Sequence, residues 1–309
     1  MHVDVGPANE WFGGGELQID GGARDVRGRS GPGGQLETLA TGSVSARFDR
    51  KRVLDHLETD PVSPWTDAMV GERAGGGFRR KLAEIAPGSG ATLVRQLMED
   101  LPAAALISGY ASLRLARRLA VNPGDLTPPG VLGRMTDMCS GWRAGGVAVE
   151  SIAAGNGVPF QDCPEAPDLA ADDPDSWHEI PTLAADCMRR RRLVDVVFGD
   201  DGSAALWAMF RDTVGEADGT ELVLHEYALT GRLEKSDAGM VLVSVEADPK
   251  VLPFTECPAA ASEVRALAGT LLGDLPAVVP VALFGVASCT HLNDLLRNVG
   301  GMAGLLATV

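Results

Sequence analysis

Several sequence features are scarce in this chain of 309 residues, and each absence excludes a class of protein. Basic residues are few, since 27 Lys and Arg stand against 42 Asp and Glu and give a formal net charge of −15. This charge repels nucleic-acid phosphates and anionic lipids, so we expect neither nucleic acid nor membrane as a partner. No apolar run reaches the length of a transmembrane helix.

Targeting and cofactor-binding motifs are missing as well. The residues after Met1 are acidic and glycine-rich, which is not the pattern of a secretory signal. The five cysteines include no Cys-x-x-Cys pair, which is typical of free thiols in a reducing compartment, so we expect a cytoplasmic protein. The glycine runs at 13–15 and 75–77 match no nucleotide-binding pattern. Cys289-x-His291 is the only close-spaced pair of zinc-type ligands, so we predict no metal site and no cofactor.

The chain does contain a pattern that occurs twice. Gly71 precedes Thr92 by 21 residues, and Gly269 precedes Thr290 by the same number. The later copy alone carries a cluster of ionisable residues. This indicates a duplicated module with a site near the junction of two similar halves.

Strands precede helices in both copies, which predicts an α+β fold rather than a parallel sheet. The predicted strands are Leu36–Phe48, Arg52–Leu57, Leu193–Phe198, Ala204–Arg211, Glu221–Thr230 and Gly239–Glu246. The predicted helices are Phe78–Ala86, Thr92–Leu101, Ala103–Val121, Ala259–Ala268, Pro276–Phe284 and Thr290–Val299. We therefore expect two similar copies of an antiparallel β-sheet followed by helices, in a pseudo-two-fold arrangement.

Composition divides the chain into four segments. We predict a flexible tail at 1–15, a degenerate first repeat at 16–121, a connector or lid at 122–188, and a second repeat with the polar cluster at 189–309. The glycine-rich stretch 28–34 is predicted to be a loop between strands.

The sharpest candidate for chemistry begins the last predicted helix. Leucines and a valine at helical spacing follow Thr290, which is a suitable N-cap, and this places His291 in the first turn. There the helix dipole disfavours imidazolium, so His291 suits a general base, with Asp294 three residues later to orient its ring. The alternative interpretation is a capped helix start in which His291 and Asp294 are structural.

A second candidate is the strand that contains His225, Glu226 and Tyr227. Alternation along a strand places His225 and Tyr227 on one face and Glu226 on the other. Tyr227 could stabilise an oxyanion while His225 moves a proton, or Glu226 could act as a carboxylate with a raised pKa. The alternative is a solvated face that carries His225 and Tyr227, with Glu226 in a salt bridge.

Further candidates are weaker. Trp142 and Trp177 in the connector could line a cavity for an apolar ligand, and Thr290 and Asn293 could contact substrate. The arginines at 189–192 are either a solvated strand start that pairs with acids or a clamp for an anion. Cys257 and Cys289 are small residues of the kind that is usually buried, although a reactive or metal-binding role stays open.

The motifs Leu-Pro-Phe-Thr-Glu-Cys-Pro at 252–258 and Cys-Thr-His-Leu-Asn-Asp-Leu-Leu at 289–296 resemble the end of a bacterial family called domain of unknown function 2889. The resemblance extends over roughly residues 190 to 300, with Ser288 where the family is expected to have glycine. It implies a common fold and common motif positions. It implies no activity.

These residues suggest three functions. The first is a cofactor-independent lyase or isomerase that transfers protons on a small hydrophobic carbonyl or aromatic substrate, and that could cleave it by a retro-aldol reaction. The second is a non-catalytic binding protein for an apolar small molecule. The third is a metal-dependent hydrolase. In each case the partner is a small molecule, and a homo-oligomer is compatible with the sequence.

Overall fold

The computed structural model of the chain describes residues 1–7, 15–28, 36–86, 92–127, 129–159, 163–171 and 174–307. Within these ranges the fold is α+β, as predicted, and nine strands form an antiparallel sheet in the order β4-β3-β2-β1-β5-β6-β7-β8-β9. The strands are β1 (His2–Val5), β2 (Leu17–Gly28), β3 (Leu36–Phe48), β4 (Leu54–Asp60), β5 (Met188–Phe198), β6 (Ser203–Gly215), β7 (Glu221–Ser236), β8 (Gly239–Val251) and β9 (Thr270–Leu271).

Helices follow the strands. The α-helices are α1 (Phe78–Ile85), α2 (Leu93–Arg118), α3 (Val131–Met135), α4 (Val147–Ala153), α5 (Leu275–Ala282) and α6 (Thr290–Leu306). The 3-10 helices are Asp67–Met69, Pro123–Leu126, Ser140–Trp142, Pro174–Ser176, Cys257–Leu267, Leu272–Asp274 and Gly285–Ala287. Among the described residues, no helix combines the length and the apolar composition that a membrane crossing requires.

The chain divides into two compact units. Unit 1 comprises residues 1–111, 165–191 and 213–222, and unit 2 comprises residues 112–164, 192–212 and 223–309. In unit 1 the start of α2 lies close to the strands, because added Cβ atoms at Gly21 and Gly42 would approach Leu97 and Leu93 to 3.1 and 3.0 Å. Glycine in the strands therefore lets this helix pack closely on the sheet.

The core of unit 2 is formed by alternate residues of β6 and β7 together with the helices near the C-terminus. Ala204, Leu206, Ala208 and Phe210 on β6 are all buried in one cluster with the apolar residues of α6. From Ala208 onward every residue of β6 is buried, so this end of the strand is covered on both faces.

The structure corrects the prediction of a tail at 1–15. Residues 2–5 form β1, because Val3 and Val5 are buried and the backbone pairs with β2 on one side and with β5 on the other. Four residues are too few to show a period-two pattern by themselves, and the flanking glycines favoured a tail. The rest of the predicted tail at 8–14, and residues 29–35 of the predicted loop, lie outside the described residues.

Two predicted helices are one. We predicted breaks on either side of Pro102, but α2 continues through this residue. Leu101 and Ala104 flank the proline and are fully buried, so packing offsets the hydrogen bond that proline cannot make.

The landmarks of the sequence repeat have the same local geometry. Gly71 and Gly269 have φ angles of 94° and 86°, a region that favours glycine. Their N–H groups donate to strand carbonyls, at 2.7 Å to Leu54 and at 2.8 Å to Leu242. Duplication of the whole module stays a prediction.

Candidate functional site

Three ionisable side chains of unit 2 meet where β6, β7 and the start of α6 come together. Asp212 lies near the end of β6, His225 lies on the neighbouring strand β7, and His291 lies in the first turn of α6. One ligand-type atom from each residue lies within 4.8 Å of those of the other two. We call these three residues the Asp-His-His cluster.

The carboxylate and the first imidazole are in direct contact. His225 Nδ1 lies 3.3 Å from Asp212 Oδ2, and both side chains are essentially inaccessible to solvent, at 1% and 0% exposure. This distance suits an ion pair but exceeds the 2.7–2.9 Å that is usual for a hydrogen bond to a charged carboxylate. The carboxylate therefore orients His225 without holding it in a short hydrogen bond.

The two imidazole rings are stacked. The centroids of His225 and His291 are 4.0 Å apart, with 21° between the ring planes. Phe210 also stacks on His291, with ring centroids 6.0 Å apart and planes 15° from parallel. His291 is half-buried, whereas His225 is fully buried. Of the three residues in the Asp-His-His cluster, His291 is thus the one that keeps contact with solvent.

The local sequence at His291 differs from the prediction in one respect. Thr290 is already helical, the cap position belongs to Cys289, and no side chain caps the helix start. Thr290 therefore does not act as N-cap, and the predicted cap was wrong by one residue. The Thr290 hydroxyl and the Cys289 thiol instead lie 3.5 and 3.9 Å from His291 Nδ1. These contacts place Nδ1 beside two local hydrogen-bonding groups.

Tyr227 shares a face with His225, as alternation predicts, but its hydroxyl is engaged in the core. The hydroxyl donates to the Cys257 carbonyl at 3.2 Å, and the side chain is fully buried beside Phe210. Burial, followed by the proximity of Cys289, raises the pKa of Tyr227 well above its ordinary value. A role as donor to an oxyanion would require this backbone hydrogen bond to break.

The cysteines near Tyr227 are thiols rather than thiolates. Burial raises the pKa of Cys289 to about 11, and it also raises the pKa values of Cys257 and Cys139. None of the five cysteines forms a disulfide, as expected from their spacing. A neutral thiol is a poor nucleophile, so these residues are better suited to packing.

Glu226 points away from the Asp-His-His cluster and pairs with the residue before Asp212. Arg211 donates two hydrogen bonds to the Glu226 carboxylate, at 2.7 and 3.1 Å, and the side chains are 4% and 15% exposed. The predicted salt bridge of Glu226 is present. The solvated face predicted for His225 and Tyr227 is wrong, because both side chains are fully buried in the core.

The arginines at 189–192 do not form the solvated strand start that was one of the two interpretations of the sequence. Arg189, Arg190 and Arg192 are buried, because β5 is an interior strand of the sheet. In unit 1, Arg189 holds Asp4 through two contacts of 2.7 Å and Glu221 at 3.2 Å. The pairing with acids is thus found for Arg189.

The remaining candidates fall in different places. Trp142 belongs to unit 2 and packs edge-on against Phe254, with ring centroids 6.1 Å apart. Trp177 belongs to unit 1, where its carbonyl accepts a hydrogen bond from Arg24. Asn293 donates to the Leu283 carbonyl at 3.0 Å, and its buried Oδ1 finds no hydrogen-bond partner among the described residues.

Asp294, predicted to orient His291, is half-buried one turn along α6. The carboxylate that the structure places against a histidine of the cluster is Asp212, which sequence reasoning missed. The sequence signal that could have identified Asp212 is its position near the end of β6, on the same face as the apolar residues Ala208 and Phe210. An acid in such a position is seldom buried without a partner.

Comparison with curated proteins and with solved structures finds no match. Residues 188–304 match the family described as Protein of unknown function (DUF2889), which agrees with the resemblance seen in the sequence. The whole Asp-His-His cluster lies inside the matched range. This segment of the chain is therefore similar to the DUF2889 family.

Proposed function

We propose that this chain is an acid–base enzyme, a lyase or isomerase that moves protons on a small hydrophobic carbonyl or aromatic substrate. The observation that supports the proposal is the Asp-His-His cluster, which joins a buried carboxylate to two stacked imidazoles, one of them in contact with solvent. Paired groups of this kind suit general acid–base catalysis.

Each residue of the cluster has a distinct role in this proposal. His291 is the general base, because it alone of the three residues is only half-buried. His225 is the hydrogen-bond donor to the developing oxyanion, since the hydroxyl of Tyr227 is already donated to a backbone carbonyl. Asp212 stabilises whichever ring carries the proton. At 4.8 Å and an effective dielectric constant of about 20, this attraction amounts to roughly 3.5 kcal/mol before desolvation.

In the proposed reaction the cluster carries one proton from one position of the substrate to another. In a retro-aldol cleavage, His291 takes the proton of the β-hydroxyl group and the bond between the α and β carbons breaks. The electron pair of the broken carbon–carbon bond forms an enolate on the α-carbon fragment, and the β carbon becomes a carbonyl carbon. The proton then returns to the α carbon.

The predicted duplication belongs to the same proposal. The first copy has Leu93, Arg95 and Gln96 where the second has His291, Asn293 and Asp294. Arg95 donates to a backbone carbonyl and to Glu99, so it serves the structure of its own helix. We infer that the first copy is a structural partner and that chemistry belongs to the second.

The proposal is tested by proton exchange, an assay in which simple carbonyl compounds can stand in for the natural substrate. A panel of small aliphatic and aryl carbonyl compounds is incubated with the protein in deuterium oxide, and incorporation at the α carbon is followed by NMR. We expect His291→Gln to lower the exchange rate at least about 100-fold, the lower end of the usual contribution of a general base.

The matched control is His56→Gln. His56 lies on β4 with 45% of its side chain exposed, so this variant removes an imidazole and leaves the cluster intact. Its exchange rate should equal that of the wild type. A folded His291→Gln protein with unchanged exchange contradicts the proposal, and so does a wild-type protein that exchanges no member of the panel.

A further inference from the structure

We propose that Asp212, His225 and His291 form a binding site for one divalent transition-metal ion, with Zn²⁺ the best fit, and that the bound ion blocks proton transfer. The effect on proton transfer rests on the proposed function, whereas metal binding itself does not. Two imidazoles and one carboxylate are the donor set that zinc and other first-row divalent ions prefer.

The spacing of two of the donors already matches that of a tetrahedral ion. Zinc bonds to nitrogen and oxygen measure about 2.0–2.2 Å, so two ligand atoms on a tetrahedral ion lie about 3.3–3.5 Å apart. His225 Nδ1 and Asp212 Oδ2 are separated by 3.3 Å. This distance is longer than a charge-assisted hydrogen bond, but it is the separation expected of two ligands of one ion.

The third donor needs one local change. The ligand atoms of the cluster lie within 4.8 Å of one another, whereas donors on opposite sides of one ion can be about 4.2 Å apart at most. The stacked rings also lie in nearly parallel planes, 21° apart, so they do not both point at one ion. His291 can turn toward the ion, because it is half-buried in the first turn of a helix, while His225 is fixed in the core.

Burial and charge favour a cation at this point. Asp212 is fully buried, and positive charge or hydrogen bonds stabilise a carboxylate that is removed from water. A dication bound by Asp212 and two neutral imidazoles offsets the negative charge inside the core.

The surroundings of His291 support ligation through one defined nitrogen. Its Nδ1 lies near the Thr290 hydroxyl and the Cys289 thiol, at 3.5 and 3.9 Å. Metal-binding histidines commonly use their second nitrogen in a hydrogen bond of this kind, which fixes the tautomer. Nε2 is then the donor to the ion, and three protein ligands leave one position open.

A bound ion and a transferable proton exclude each other at this site. Ligation uses the nitrogen lone pairs that proton transfer requires, so Zn²⁺ should inhibit the exchange reaction and a chelator should restore it. This distinguishes the inference from a metal-dependent hydrolase, in which the ion would be required for turnover.

The test uses the full chain, freed of metal with a chelator and titrated with Zn²⁺ against a chromophoric competitor. We expect one ion per chain, and visible absorption of the Co²⁺ form typical of four-coordination. Asp212→Asn, His225→Gln and His291→Gln should each weaken Zn²⁺ binding by more than about 100-fold, beyond the range expected for loss of a group that only orients a ligand. Circular dichroism and thermal unfolding establish that each variant is folded, and His291→Gln serves if substitution in the core unfolds the others.

Two control variants keep the cluster intact. His56→Gln removes an exposed imidazole, and His178→Gln breaks the other histidine pair of the chain, in which His2 Nδ1 and His178 Nε2 are 2.6 Å apart. Both should bind Zn²⁺ like the wild type.

The outcomes separate the two proposals. Absence of stoichiometric Zn²⁺ binding, or binding that survives all three cluster substitutions, overturns the metal site and leaves the acid–base function standing. Cluster-dependent binding without inhibition overturns the proposed effect of the ion. Cluster-dependent binding that is required for exchange supports the metal site and refutes the cofactor-independent mechanism.

Discussion

The ion pair between Arg211 and Glu226, on the face of β6 and β7 opposite the Asp-His-His cluster, provides a quantitative test of what stabilises the site. Arg211 and Glu226 directly adjoin Asp212 and His225 in sequence, and they bridge the same two strands through two hydrogen bonds. We predict that Glu226→Ala destabilises the protein and weakens the site, because Arg211 then keeps a charge in a position that is 4% exposed.

The size of the effect follows from burial. Removing one partner of a buried, hydrogen-bonded ion pair costs about 3–5 kcal/mol, against about 0–1 kcal/mol for an exposed pair. Glu226 retains 15% exposure, so we expect about 3 kcal/mol, the lower end of the buried range. Replacing both residues by apolar ones of similar size, as in Arg211→Met with Glu226→Leu, should cost much less than the single change, since neither buried charge then remains without the other.

Urea denaturation of the wild type, Glu226→Ala, the single variants Arg211→Met and Glu226→Leu, and their double variant measures these free energies of unfolding. A cost below about 1 kcal/mol for Glu226→Ala, or a double variant as unstable as the sum of the single variants, would refute the argument. Zn²⁺ affinity of the double variant adds a second readout. If the pair merely stabilises the strands, affinity is unchanged, whereas a role in positioning Asp212 against His225 lowers it.

Two further predictions concern other parts of the chain. Burial, followed by the charge of Arg189 or of neighbouring groups, lowers the pKa values of His2 and His178 from 6.5 to about 4, so the unfolded chain takes up protons first as the pH falls. The contribution of these two rings to the free energy of unfolding should therefore be complete above pH 6.5 and should decline between pH 6.5 and 4. The shift in pKa corresponds to at most about 3 kcal/mol per ring, and to about 1–2 kcal/mol after solvent screening. Urea midpoints measured across this pH range test the decline. Gly300→Ala should cost about 1–3 kcal/mol in the same assay, because its Cβ would lie 2.6 Å from Pro276 Cδ.

Each of these predictions has a control. His2→Gln combined with His178→Gln should remove most of the decline between pH 6.5 and 4, and an unchanged decline would assign it to other groups. Gly304→Ala is the control for Gly300→Ala, because Gly304 lies on the same helix and no atom comes within 4 Å of an added Cβ. Equal stability of the two alanine variants would contradict the close approach of α5 and α6.

Periodicity was a good guide to the long strands in the second half of the chain. The predicted strand Glu221–Thr230 lies inside β7, and the alternation that separates His225 and Tyr227 from Glu226 is confirmed. It was a poor guide to β1, which is too short to show a period and is defined by its hydrogen-bonded neighbours. Local patterns describe one strand at a time, whereas pairing is a property of the folded chain.

The candidate site was half visible in the sequence. His225 and His291 stand out as histidines within apolar patterns, and the structure brings their rings to 4.0 Å from each other. Asp212 did not stand out, because it follows Arg211 and the pair looks like an exposed ion pair at the end of a strand. In the structure these neighbours face opposite sides of the sheet and find different partners across β7. Partner choice across strands depends on register, which a single sequence leaves open.

The unequal burial of the Asp-His-His cluster has a kinetic consequence. Asp212 and His225 have no solvent-accessible surface, and His291 does. Among the three residues, His291 is therefore the one that an incoming proton or cation can meet at the surface. The rate at which the His291 ring reorients would then set the rates of binding and release at the cluster, independently of the affinity of the cluster for the bound species.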